Sequence, residues 1–147
     1  MLTKRLATIR VIVIVMLALL GLQYEFGMAV NIANLPTLAP VAFSSSALST
    51  ALQQAGLVAV LHAGLGSGLI VFALINLILS LRSGLRSLQV FGSLAFLTIL
   101  LAALTGLLFT LSGFQNNGYT HGMATNFLLS FTFYFLELYS LKPAPKT

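Results

Sequence analysis

The chain has 147 residues, of which 59% are hydrophobic and 6% charged, with seven basic residues, two acids and a net charge of +5. So few charges could not hold that much apolar surface in water at this size, which excludes a soluble globular domain and makes the lipid bilayer the expected solvent and first partner. The absence of cysteine excludes disulfides, thiolate metal sites and covalently attached c-type haem.

Residues 11–30 form the first apolar stretch, preceded by Lys4, Arg5 and Arg10. A basic start before an apolar run has the look of a signal peptide. No convincing small-x-small cleavage site follows, so an uncleaved first span is expected. Residues 31–56 then connect to the second stretch and contain no Lys, Arg, Asp or Glu. Pro36 and Pro40 keep the first part irregular because proline lacks an amide donor. Ser44, Ser45 and Ser46 are placed to cap a short helix from Ala47 to Gln54.

The second stretch covers residues 57–81, and the turn after it carries Arg82 and Arg86. Its brevity predicts that the second and third stretches are antiparallel neighbours. The third runs over 90–111. The connection 112–122 is again uncharged, and Asn116-Asn117-Gly118 is a turn signal because Asn and Gly tolerate positive φ. The fourth stretch, 123–141, is followed by Lys142 and Lys146. A span needs about 20 apolar residues to cross roughly 30 Å of hydrocarbon, and each stretch meets that length.

All seven basic residues therefore fall on one side if every stretch crosses, and basic residues stay cytoplasmic. The expectation is an all-α four-helix transmembrane bundle, one domain over 1–147, with antiparallel neighbours and both termini cytoplasmic. It would be a multi-pass protein of the cell membrane, expected in a prokaryotic plasma membrane. The net positive charge reflects the scarcity of acids and suits anionic headgroups, so nucleic acid is not an expected partner.

Small residues recur at four-residue spacing: Ala59, Ala63 and Ser67, Gly64 and Gly68, then Ala102 and Gly106. Such ridges let helices approach closely in lipid, either inside one bundle or between subunits through self-association or with other membrane proteins.

Both acids, Glu25 and Glu137, fall within apolar stretches, where an ionised carboxylate costs about 2.5–3.5 kcal/mol and normally finds a partner or the interface. Helical rise puts Glu25, His62 and Asn126 within about 3 Å of one depth. Glu25 is therefore expected to turn inward and meet His62, Asn126 or both. Glu137 lies close to Lys142, where two readings stand. It reaches cytoplasmic water and basic side chains, or it joins Asn76, which falls at similar depth, in a second polar layer. At 100° per residue His62, Gly66, Asn76 and Ser80 share one face, and Asn126, Ser130, Tyr134 and Glu137 share another.

Three chemistries use these residues. A b-type haem would take His62 with His121, or with Met28 or Met123, although His121 lies about 9–10 Å higher by rise. The same four side chains could hold copper at the outer face. A proton path from Glu25 to Glu137 would use Gln23, Ser67, Ser130 and Tyr134. No nucleophile–base–acid set is visible, so catalysis is not expected. The leading expectation is a structural or accessory subunit of a larger membrane assembly, with a haem-binding or proton-conducting bundle using His62 and Glu25 as the alternative.

Leu22-Gln23 with Gly27-Met28 and Asn31, then His62 with Leu65-Gly66, then Met123-Ala124, resemble elements of a group of small four-span prokaryotic membrane proteins. The resemblance covers most of the chain through short motifs. It implies four spans and draws attention to His62, and it implies no mechanism. The nearly uncharged first outer loop departs from that group.

Overall fold

The computed structural model describes residues 2–32 and 35–141, and within them the chain is all-α. The helices are α1 (Leu2–Ile32), α2 (Ser45–Gln54), α3 (Leu57–Leu81), α4 (Arg86–Leu111) and α5 (Asn117–Ser140). Of these, Thr3–Ile32, Leu57–Leu81 and Arg86–Leu111 are long and apolar enough to cross a membrane. The 24-residue α5 is comparable in length but carries Asn126, Ser130, Tyr134 and Glu137 through its apolar run.

The four long helices form a square in which neighbours run antiparallel. α1 packs on α3 and α5, and α4 packs on the same two helices. Among the described residues, no Cα atoms of α3 and α5 come within 8 Å, so these two face each other across a diagonal. Apolar residues of α1 at three- and four-residue spacing (Ile9, Val13, Met16 and Leu20) fill the centre with Leu69, Ala73, Ala95, Ile99 and Tyr134. That spacing puts them on one helical face.

The interior also holds Asn76, Ser80, Thr98, Ser130 and Glu137, while Val11, Val71, Leu128 and Phe135 are exposed. Polar groups inside and large hydrophobes outside suit a surface that meets lipid.

Helix ends depart from the apolar boundaries where nothing interrupts the backbone. α1 begins at Leu2 rather than near 11, because the segment before Val11 contains neither Gly nor Pro. Basic side chains stop an apolar run without stopping a helix. α3 matches its apolar stretch, and α4 starts at Arg86. Lys142 and Lys146 lie outside the described residues.

The arginines of α1 act as caps for its neighbours. The Arg5 guanidinium donates to the Arg82 carbonyl beyond α3. Arg10 Nη2 donates to the Leu141 carbonyl at the end of α5, at 2.5 Å. Cations there satisfy orphan carbonyls and complement the negative end of the helix dipole. The start of α1 and the ends of α3 and α5 thus share one end of the bundle with Arg82 and Arg86.

At the opposite end, Ser44 Oγ accepts from Ala47 N at 3.2 Å and starts α2, as its serine run suggests. The segment before it is strapped onto α4: Leu38 N donates to Gly113 O, Val41 N to Leu111 O, and Gln115 Nε2 to Leu38 O. Gly113 has φ +67°, and a Cβ there would lie 2.1 Å from Leu38 O, so the strap requires glycine. The chain reverses at Gly113 and Phe114, both at positive φ, and not at Asn116-Asn117-Gly118. Asn116 instead caps α5, its Oδ1 accepting from Gly118 N at 3.0 Å.

Candidate functional site

The densest polar cluster lies toward the basic end and centres on Glu137. Its side chain is 0% exposed. Asn76 Nδ2 donates to Oε2 at 2.8 Å and Ser80 Oγ donates to Oε1 at 2.5 Å. Both donors come from α3 and reach across the diagonal. They are four residues apart, so one helical face presents them together. α4 contributes absence of bulk: a Cβ on Gly92 would lie 2.9 Å from Ser80 Cβ and 3.1 Å from Glu137 Oε1.

Tyr134, one turn before Glu137 on the same face, is also 0% exposed. Its hydroxyl and Asn76 Oδ1 are buried and have no hydrogen-bond partner. One turn further, Ser130 Oγ donates to Thr98 Oγ1 at 2.8 Å, linking α5 to α4. Ser130, Tyr134 and Glu137 therefore form one inward stripe, while Asn126 at its far end is half-buried. The expectation that Glu137 reaches water and basic side chains is corrected. The carboxylate faces α3, and its place on the inward stripe of α5 decides this.

The second polar contact lies toward the far end, between α1 and α3. Gln23 Nε2 donates to the His62 carbonyl at 3.2 Å and lies 3.3 Å from His62 Nε2. Two glycines allow this approach. A Cβ on Gly27 would meet His62 Cε1 at 3.1 Å, and one on Gly66 would meet Gln23 Nε2 at 3.1 Å. His62 Nδ1 and Gln23 Oε1 remain unpartnered.

Glu25 does not join this contact, which corrects the expected inward turn. Its side chain is exposed and makes no hydrogen bond or ion pair with another described residue. Gln23 and Gly27 are four residues apart and face α3, and at 100° per residue Glu25 points to the opposite side of α1. Matching depth says nothing about direction around a helix. Asn126 makes its bond to its own helix, Nδ2 to Gly122 O at 2.9 Å.

The four side chains weighed for haem or copper do not converge. His62 packs against α1 at Gly27, and Met123 packs against α4, its Sδ 3.2 Å from a Cβ on Gly106. Met28 and His121 are exposed. Among the described residues no group of three or more His, Cys, Asp or Glu could hold a metal ion. The residues present do not fit a bis-axial haem or a copper centre. The route from Glu25 to Glu137 is also interrupted, since Glu25 points outward and Ser67 is exposed and donates to Ala63 O of its own helix.

Gly92 and Thr98 are the participants that the sequence did not single out. Glycine and threonine are ordinary in an apolar helix, and only the facing carboxylate gives Gly92 a role. No protein family, curated protein or solved structure matches the chain.

Proposed function

We propose that the chain is a four-span integral membrane protein with both termini cytoplasmic, serving as an accessory or structural component that binds another membrane protein through the exterior of α1. α5 acts as the fourth span in this reading. Its polar stripe turns inward, and its other faces offer Leu128, Phe131 and Phe135 to lipid. The described basic residues Lys4, Arg5, Arg10, Arg82 and Arg86 share one end, which supports this orientation.

Glu25 carries the assembly reading. It lies outward on an apolar helix, in the half of the bundle whose connections 31–56 and 112–122 contain no Lys or Arg. An ionised carboxylate costs about 2.5–3.5 kcal/mol at the bilayer centre and less toward the end of a span, where Glu25 lies, and a partner helix presenting a basic or hydrogen-bond-donating side chain at that depth would remove the cost. The same face of α1 offers a place for close approach, since nothing lies within 4 Å of a Cβ on Gly21, four residues before Glu25.

A photo-cross-linking residue at position 21 or 29, one turn either side of Glu25 on the same exposed face, tests the proposal in the native membrane. A single membrane protein should be captured at both positions and not at Val71 of α3, and Glu25→Leu should abolish both captures. No adduct at either position, or capture unaffected by Glu25→Leu, would overturn the proposal.

A further inference from the structure

We infer that Glu137 is the binding site for one exchangeable proton, reached from the basic end of the bundle. The inference is independent of the assembly reading, because Glu25 and Gly21 take no part in it.

Charge balance is the starting point. The carboxylate is fully buried and receives two hydrogen bonds, both from neutral groups. No ion pair forms among the described residues around it. The groups facing it are Asn76 and Ser80 from α3, Gly92 from α4 and Tyr134 from α5 itself, none of them cationic. The cation of α1 nearest in the helix order is Arg10, whose guanidinium is committed to the Leu141 carbonyl one turn beyond. An ionised Glu137 would also sit in the last turns of α5, where the helix dipole is negative.

The neutralising species must therefore enter with almost no volume. Gly92 approaches so closely that one methyl group would lie 3.1 Å from Oε1, leaving no room on that side for a coordinated metal ion. A proton needs none. Its arrival converts the carboxylate to the carboxylic acid, takes the local charge from −1 to 0, and is balanced by loss of one proton from water. The new O–H can donate to Ser80 Oγ by reversing the existing bond, with no heavy atom moved.

The surroundings have spare hydrogen-bonding capacity for both states, since Asn76 Oδ1 and Tyr134 Oη are buried and unpartnered. A surface depression lined by Leu6, Arg10, Leu85, Ser140 and Leu141 lies at the basic end, and Leu141 is one helical turn from Glu137, so this is the side from which a proton would arrive. Toward the other end, Met16, Leu20, Leu69 and Ala73 close the core. The arrangement is an enclosed proton-binding site nearer the basic end, not a through-path.

The chain has only two acids, so a carbodiimide that attacks protonated carboxyls in apolar surroundings gives a clean test. Dicyclohexylcarbodiimide is applied to the protein in lipid nanodiscs, and adducts are mapped by mass spectrometry. Glu137 should be modified, the adduct should vanish in Glu137→Gln, and the rate should fall about tenfold per pH unit once the site deprotonates. Sodium should not protect. In parallel, infrared spectra of Glu25→Gln, which leaves the pocket untouched, should retain a carboxylic-acid C=O band that shifts in D2O. Absence of that band, absence of a Glu137 adduct at every pH, or protection by sodium would overturn the inference.

Discussion

Asn76 of α3 and Glu137 of α5 are bonded at 2.8 Å although their helices sit on opposite corners of the bundle. A diagonal bond constrains both helices at once and fixes their rotation and depth relative to each other. With Ser80 making a second bond to the same carboxyl group, the register of α3 against α5 is set by one side chain.

Removing one partner should cost more than removing both. Asn76→Leu leaves the buried carboxyl short of a donor, with an expected loss of about 1–3 kcal/mol. Adding Glu137→Met to Asn76→Leu should recover part of that loss, because the buried carboxyl goes with its donor and only the Ser80 hydroxyl loses an acceptor. Denaturation in mild detergent, analysed as a double-mutant cycle, measures the coupling; strict additivity would show that the two side chains act independently.

Gly92 and Gly64 should respond in opposite ways to the same change. Gly92→Ala places a methyl against Ser80 Cβ and Glu137 Oε1, and overpacking of this kind costs about 1–3 kcal/mol. Gly64→Ala meets nothing within 4 Å and should leave the stability of the isolated bundle unchanged or slightly higher. Thermal unfolding of the two purified variants is the check.

Gly113→Ala should release the strap between the first helix and α2. The substitution combines a positive φ with a Cβ 2.1 Å from Leu38 O, so the Leu38–Gly113 and Gln115–Leu38 bonds cannot persist together. Limited proteolysis should then cut within residues 35–43 faster than in the wild type, while the long helices stay protected.

The proposed four-span orientation can be tested by labelling, since the chain lacks cysteine and any introduced thiol is unique. Ser49→Cys and Asn117→Cys should react with a membrane-impermeant maleimide added to intact cells. Ser87→Cys should react only after permeabilisation. Equal labelling of all three from outside would refute the arrangement.

Composition and charge placement by themselves determined the helical class, the apolar stretches and the one-sided distribution of basic residues, because burial in lipid imposes those demands locally, residue by residue. Helical periodicity also made the inward stripe of α5 legible: Ser130, Tyr134 and Glu137 lie where 100° per residue puts them. The same arithmetic could not say where Glu25 points. Depth follows from counting along one helix, whereas direction depends on which face its neighbours cover. α1 turned Gln23 and Gly27 toward His62, because two glycines let that pair approach closely, and this sent the carboxylate outward. Only tertiary packing decided that the acid nearer the basic end would be enclosed and the other left on the exterior. The choice rests on Gly92, whose missing side chain makes room for a carboxylate that helices from three corners of the bundle surround.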